Sequence, residues 1–598
     1  MKTQKYAVNQ YLIESILSKV REGEIAIPEI QRPFVWDATQ VRDLLDSLYQ
    51  GYPVGYLIAW RNPDVKLKDG SVSAGKMVLI DGQQRVTALT AAVLGQSVIN
   101  KDYRKVRITI AFNPIEERFE VANPAIRKDV AWIEDISPIV SGDTKLLKAF
   151  GQYMAANPGA DQDKVETALS ALTDIAKKQI GLIELSHDLD IETVTEIFIR
   201  INSKGTVLSQ ADFAMSKIAA DQLYGGATLR KSIDYFCHMA VAPEFYAYIK
   251  EGDSDFVASP WFQKMAWLRG ENDDLYDPSY NDMLRVAFTS EFGRGKLSDL
   301  VSLLSGRNFE TRAYEEEIAK DSFARLAAGV ESFINETNFK RFLMIIKSAG
   351  FVDSSMIRSR GALNFAYVLF LHLRKQGAEP AKIESFVRRW FVLSILTGRY
   401  SSSAETNADR DIRMMKELGV AEYLTRIEQA ELSSAFWEFG LVQALEVTGT
   451  NSPMFWVFVA AQVRTNDKGF LSRDITVRDM VTHAGDIHHI FPADYLKKQG
   501  IPKSVYNQIG NYVYSQTEIN IRISNRRPAE YFADVLAQCN GGQAKYGGIA
   551  DKATLLDNLR ANCVPEEAMA MGSEEFAYFL ALRRKQMAEK IRAYYEGL

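Results

Sequence analysis

Apolar residues recur at helical spacing between Thr39 and Gln50, where Val41, Leu44, Leu45 and Leu48 share one face. Asp37 precedes them and Gln40 follows it by three residues, a capping pair that marks the start of a short helix. Gly51 and Pro53 stop that helix, and Val54 to Trp60 reads as a buried strand. A second strand, Met77 to Ile80, runs into Asp81-Gly82-Gln83-Gln84-Arg85, after which Val86 to Leu94 reads as a helix ending at Gly95. Val106 to Phe112 and Arg118 to Val121 read as a hairpin across Asn113-Pro114, and Gln179 to Leu185 as a strand before a helix over Glu192 to Ile201. The pattern then lengthens into amphipathic stretches such as Phe323 to Ile334 and Arg341 to Ala349, which predict a mostly helical middle. Mixed character returns near residues 480 to 530. Phe576 to Tyr595, rich in Ala, Leu, Arg, Lys and Glu, predicts a closing helix.

These changes of pattern divide the 598 residues into a mixed α and β amino domain over 1–225, a helical coupling region over 226–440, and a second mixed domain with carboxy-terminal helices over 441–598. A composition of 47% hydrophobic and 25% charged residues is that of an ordinary globular protein. The formal net charge of -5 argues against indiscriminate coating of nucleic acid, although a local basic surface still binds phosphates. Cys237, Cys539 and Cys563 are far apart and odd in number, which fits neither a disulfide framework nor a CxxC zinc site and points to a reducing cytoplasm. The first twenty residues, interrupted by Glu14 and Lys19, read as an amphipathic helix rather than a signal peptide. The longest apolar runs, such as Met454 to Ala461, fall short of the roughly 20 residues that span a bilayer. A soluble protein with no membrane partner is expected.

The turn from Asp81 to Arg85 sets a glycine, two amides, a carboxylate and a guanidinium where a strand feeds a helix. Free N–H groups at a helix start favour a phosphate, Arg85 can add a bidentate contact, and Asp81 can hold Mg2+ or orient water. Taken alone, five such residues are better explained as a hydrogen-bonded structural turn. Two further segments change the balance: Ile27 to Trp36, with Arg32 among aromatic residues, and Phe198 to Gly205, where Arg200, Asn202 and Lys204 lead to a glycine. The set IPEIQRPFVW, SLYQGYPVG, LIDGQQR and FIRINSKG, in this order and spacing, resembles the ParB-like amino domain of GmrSD-type modification-dependent (type IV-like) restriction endonucleases and their relatives BrxU and the phosphorothioate-sensing SspE proteins. The resemblance implies that Asp81, Gly82, Gln83, Gln84 and Arg85 form a nucleoside-triphosphate site, for GTP, ATP or UTP, with Asp81 and Gln84 in its hydrolysis and Arg32, Arg200 and Asn202 as neighbours. Phe34, Trp36 and Tyr56 read as core residues rather than base-stacking ones.

Phosphodiester hydrolysis needs a base near neutral pH, a cation to offset developing charge, and a group that fixes the base. Asp486-Ile487-His488-His489-Ile490-Phe491-Pro492 can supply the first two. Adjacent histidines by themselves are more often surface residues. Behind them stand Gly510-Asn511-Tyr512-Val513-Tyr514 and Glu518-Ile519-Asn520, with the two asparagines nine residues apart. This order is similar to the ββα-metal HNH nucleases, including the HNH domain of RNA-guided CRISPR nucleases. The resemblance implies His489 as general base, His488 and Asn520 as metal ligands, and Asn511 as the residue orienting the base. His488 stands where many HNH sites have Asp, which opens Mn2+ or another transition metal as an alternative to Mg2+. Asp486 is on the same face as His488 if the segment is extended, and is a candidate partner of the metal ligand. His483 fits no family position and reads as a loop residue. Lys497, Lys498, Lys503, Arg522, Arg526 and Arg527 are candidate DNA contacts, or equally a solvated charged face. Leu396-Thr397-Gly398-Arg399-Tyr400-Ser401 resembles a stretch recurring in such two-domain proteins, and as physics it reads as a turn after a buried helix.

The expectation is therefore an α+β multidomain chain: a ParB-like nucleotide-binding domain, a helical middle, and a ββα-metal HNH domain with a helical tail. Its expected activity is antiviral restriction, DNA cleavage gated by triphosphate and by modified or phage DNA, with a homo-oligomer or partner proteins of a defence system compatible with it. The alternative is a ParB-like DNA- or partner-binding module joined to a toxin-like or RNA-directed HNH nuclease.

Overall fold

The computed structural model describes all residues except 1–4, 23, 27–35, 62–76, 100–104, 187–188, 190–196, 198–209, 222, 271–274 and 314. The chain divides into two compact units. The first comprises Met1–Asn272, Pro278–Asn281 and Leu300–Ala324; the second comprises Asp273–Asp277, Asp282–Asp299 and Arg325–Leu598.

In the first unit, strand β1 (Tyr6–Leu12) leads directly into helix α1 (Ile13–Arg21), followed by β2 (Ile25–Ala26), α2 (Ala38–Tyr49), β3 (Tyr56–Arg61), β4 (Met77–Asp81) and α3 (Gln83–Val93). Helix α2 begins where the sequence places it: the Asp37 side chain accepts from the Gln40 N–H, and the Gln40 side chain reaches back to the Asp37 N–H. Two short pairs follow, β5 (Val98–Ile99) with β6 (Lys105–Val106), and β7 (Ile110–Asn113) with β8 (Arg118–Val121). The expected hairpin is therefore confined to Ile110 onward, because Val106 pairs back to Val98. Strand β9 (Gln179–Leu185) completes a sheet of order β1-β9-β3-β4-β2 among the described residues. Strand β9 is antiparallel to β1 and parallel to β3, and β3 is antiparallel to β4 with an irregularity between Ile58 and Ala59.

Alternation decides which residues of the sheet enter the core. Leu57 and Ala59 of β3, Leu79 of β4, and Ile180 and Leu182 of β9 pack with Ile16 and Leu17 of α1, Leu44 and Leu48 of α2, and Val86 and Leu89 of α3. The amino terminus differs from its expected helix. Tyr6–Leu12 is a strand because it hydrogen-bonds along β9, from Tyr6 opposite Leu185 to Leu12 opposite Gln179, and helical spacing resumes only at Ile13.

The second unit is largely helical. Arg360–Lys375 packs against Pro380–Leu396, with Ala404–Leu418, Val420–Glu431 and the apolar Pro453–Arg464 beside them. The strands β10 (Asp486–His489) and β11 (Tyr512–Ser515) form an antiparallel pair, followed by a helix over Thr517–Ile523. A separate core of Ile490, Phe491, Leu496, Val513, Ile519, Phe532 and Phe579 lies beneath this pair. The closing helix, Phe576–Glu596, joins the two parts of the unit: Tyr594 donates to the Ala349 carbonyl at 2.5 Å and Tyr595 to Glu428 at 2.6 Å. None of the described helices is long and apolar enough to cross a membrane.

Candidate functional site

The amino-terminal turn is built by one backbone requirement. Strand β4 ends at Asp81, and Gly82 opens α3 with φ of +91°, in the left-handed region. A Cβ here would stand 2.3 Å from Leu57 Cδ2 and 3.3 Å from Leu57 Cα, so glycine is required both for the turn and for the close approach of β3. Gly82→Ala is expected to lower unfolding free energy by about 1–3 kcal/mol, the usual range for a strained residue at such a position, measured by denaturant titration.

Arg85, one turn into α3, donates from Nη1 to the Tyr56 carbonyl at 2.5 Å, and its Nη2 lies 3.9 Å from Asp81 Oδ2. Gly55, at φ of +86°, leaves room for the guanidinium, since a Cβ there would sit 3.4 Å from Arg85 Cζ. Gln84 Oε1 accepts a long bond of 3.4 Å from the Trp36 N–H. Gln83 is only 5% exposed, and its Oε1 takes no hydrogen bond from the described residues. The turn thus gathers a carboxylate, a guanidinium, an amide oxygen with no partner among the described residues, and the start of a helix. Arg32, Arg200 and Asn202, expected beside it, lie outside the described residues, as does Phe34. Trp36 is half-buried against the core as expected. Tyr56 is not: its ring is 56% exposed and lies over Gly181, where a Cβ would meet Tyr56 Cδ1 at 2.4 Å.

In the carboxy-terminal pair, His488 stands opposite Val513 and His489 opposite Tyr512, so the two imidazoles leave opposite faces of β10. Asp486 shares the face of His488. Its Oδ2 accepts from Thr517 Oγ1 at 2.8 Å and lies 3.9 Å from His488 Nε2. That nitrogen is buried and takes no hydrogen bond among the described residues. Asn520 lies three residues beyond Thr517 in the same helix, Thr517–Ile523. Burial holds the pKa of His488 below the ordinary imidazole value, against a partial upward pull from Asp486. Burial lowers His489 likewise, against an upward pull from Asn507. Both rings therefore favour the neutral form at pH 7.

Asn511, expected to orient the base, hydrogen-bonds to backbone on either side of the site. Asn511 is fully buried, its Oδ1 accepting from the Phe491 N–H at 2.9 Å and its Nδ2 donating to the Phe491 carbonyl at 3.0 Å and the Tyr506 carbonyl at 3.1 Å. With both ends of the carboxamide spent on backbone, Asn511 braces the chain around the site. The atom at the imidazole is Asn507 Oδ1, 2.8 Å from His489 Nε2. The entry to β11 has a second brace: the buried Arg583 donates to the carbonyls of Gly510 at 2.8 Å and Tyr512 at 2.7 Å. Burial pushes its pKa down to about 10, which leaves it charged at neutral pH. Asn507 and Thr517 carry no motif in the sequence; only the fold brings them to the histidines.

Among the described residues no group of three or more His, Cys, Asp or Glu side chains stands ready for a metal ion. A cation here would rest on a sparser set, His488, Asp486 and the Asn520 amide, and the orphaned His488 nitrogen is the kind of atom such an ion satisfies. Of the candidate DNA contacts, Lys497 and Lys498 are exposed at the end of the helix Ala493–Lys498. Arg526 instead pairs with Asp534 at 2.9 Å and donates to the Tyr546 hydroxyl, and Arg527 pairs with Glu530 at 3.1 Å. The two lysines are thus the cations more readily offered to a phosphate.

Residues 13–219 match the family model described as the GmrSD restriction endonuclease, N-terminal domain. An uncharacterized protein of Methanocaldococcus jannaschii is 20% identical over 629 residues, covering 96% of this chain and 97% of the relative. The first match spans α1 through β9 and includes the Asp81–Arg85 turn, and it supports a restriction endonuclease of the GmrSD type.

Proposed function

We propose that this chain is a GmrSD-type restriction endonuclease whose carboxy-terminal site hydrolyses DNA phosphodiester bonds in the HNH manner, under the control of a nucleoside triphosphate bound at Asp81–Arg85. The observation that carries the nuclease part is the pair of neutral imidazoles on opposite faces of β10, one with a bare nitrogen beside a carboxylate and the other bonded to an amide oxygen. His489 takes a proton from water, the resulting hydroxide attacks phosphorus, and the bond from phosphorus to the leaving sugar oxygen breaks. Asn511 and Arg583 hold the strands that carry this geometry. A divalent cation held by His488 and Asn520, with Asp486 beside them, would offset negative charge on the phosphate and leaving oxygen; Mg2+ serves, and a histidine ligand favours Mn2+. Lys497 and Lys498 meet the DNA backbone.

At the amino-terminal turn, the N–H groups of α3 and Arg85 receive the phosphates, Gln83 offers its side-chain oxygen, and Asp81 and Gln84 serve hydrolysis. Host DNA is spared because cutting awaits modified or phage DNA. The three parts, 1–225, 226–440 and 441–598, would sense, couple and cut, alone or as a homo-oligomer with partner proteins. Cys237, Cys539 and Cys563, none of them in a disulfide, fit a reducing cytoplasm.

A second reading has its own support. Arg85 is already bonded to Tyr56 and close to Asp81, as a purely structural turn would have it, and the amino domain would then hold DNA or a partner without hydrolysis. Phosphate release decides between them. Asp81→Ala and Gln84→Ala are expected to abolish triphosphate turnover with an unchanged circular dichroism spectrum, and undiminished turnover would sink the hydrolytic reading. The same preparations, given plain, glucosylated, methylated and phosphorothioate DNA with and without each triphosphate, and RNA in parallel, test the gate and the substrate.

A further inference from the structure

The buried Asn511 carboxamide is bonded at both ends to backbone, and the amide at the imidazole is that of Asn507. A neutral imidazole carries one N–H, on either Nδ1 or Nε2, and the hydrogen bond made by one nitrogen decides what the other can do. His489 Nε2 lies 2.8 Å from Asn507 Oδ1, and an amide oxygen only accepts. We infer that Asn507 is a positioning residue that fixes the Nε2–H tautomer of His489 and so leaves the Nδ1 lone pair to accept the proton of the attacking water. This deepens the nuclease reading above and rests on it.

The surroundings make Asn507 suited to the task. Its backbone N–H donates to the Lys503 carbonyl at 3.0 Å, closing the short helix Lys503–Tyr506. The preceding Tyr506 carbonyl is held by Asn511 Nδ2 at 3.1 Å, and the following Gln508 forms a bridge with Thr448. The same Asn511 carboxamide grips Phe491, two residues past His489. One buried amide therefore fixes the spacing between the segment that carries the base and the segment that carries its partner. The imidazole is also walled on two sides, by Tyr512 with ring centroids 5.0 Å apart and by Tyr506 at 6.2 Å, both edge-on. Among the described residues nothing hydrogen-bonds Nδ1. With Nε2 tied and the ring walled, that edge is the one left for water.

The tautomer is directly measurable. Full-length protein labelled with 15N-histidine gives long-range proton–nitrogen correlations for its six histidines, and His489→Gln identifies the His489 pattern by its disappearance. Wild type is expected to show the Nε2–H pattern. Asn507→Ala is expected to show mixed tautomers and to lower kcat by roughly 10–100-fold, with KM and the thermal midpoint near wild type. Asn507→Asp, which keeps an acceptor oxygen, is expected to restore the Nε2–H pattern and most of the rate. An Nδ1–H pattern in wild type, or an unchanged kcat in Asn507→Ala, overturns the assignment. Normal cutting by His489→Gln would instead overturn the nuclease reading beneath it, and the spectra alone still decide whether Asn507 sets the tautomer.

Discussion

His489→Ala is expected to lower the rate of DNA cleavage by about 10²–10⁴-fold, the range for loss of a positioned general base. Affinity for DNA and the unfolding midpoint should change little, because the imidazole is half-buried and Asn507 is its one polar partner among the described residues. The size of the effect follows from the ring's state. Burial keeps it below the ordinary imidazole pKa, so the unprotonated base is the majority form at pH 7, and removing it removes an active group rather than a minor species. His488→Ala tests a different link, since a ligand change should be partly offset by raising the Mg2+ or Mn2+ concentration, whereas the loss at His489 should not. Single-turnover cleavage across a metal titration separates the two. Full-rate cutting by His489→Ala at any metal concentration would remove this residue from the reaction.

What the sequence disclosed about these sites tracks how local each feature is. The turn at Gly82 was legible because a strand, a glycine and a helix start are contiguous, and the structure places β4, Gly82 and α3 as that order requires. The cap at Asp37 and Gln40 was legible for the same reason. Tyr6–Leu12 was not, because its strand character is set by pairing with β9, from Tyr6 opposite Leu185 to Leu12 opposite Gln179, against apolar spacing that also suits a helix. Asn511 was found by its nine-residue spacing to Asn520, but spacing along a chain carries no information about which way a carboxamide points, and it points to Phe491 and Tyr506. Asn507 and Thr517 reach the histidines through the path of the chain between β10 and β11 and through the direction of the helix that follows. Tyr56 was read as core from its place in an apolar run, yet it begins β3 at the end of the sheet, where the strand face is open.

The largest effect on stability is expected far from either histidine, at Asp411. Arg399 belongs to the Leu396–Ser401 stretch that the sequence marks without explaining, and its guanidinium is buried. It donates from Nε to Asp411 Oδ2 at 2.7 Å and from Nη2 to Asp411 Oδ1 at 2.5 Å, while Nη1 reaches Glu431 at 2.5 Å. The Tyr400 and Tyr423 hydroxyls also donate to Asp411, at 2.7 and 2.8 Å, and the Trp390 indole N–H donates to Tyr400 at 3.1 Å. Burial works against charge on Arg399, but the hydrogen bonds and charge of Asp411 outweigh it and raise its pKa. The turn after Leu396, Ala404–Leu418 and Val420–Glu431 thus meet on one carboxylate, and Pro380–Leu396 is joined to it through Tyr400. Asp411→Ala leaves the buried Arg399 with Glu431 as its carboxylate partner and removes the acceptor of two buried hydroxyls, and is expected to cost about 3–5 kcal/mol in denaturant unfolding. Asp411→Asn should recover little, because its amide NH2 would face donors already pointing at that position. Replacing Arg399 and Asp411 together by apolar residues should cost much less than Asp411→Ala, since the uncompensated charge is gone. If Asp411→Ala costs under about 1 kcal/mol, the value of an exposed pair, the network is not what joins these helices.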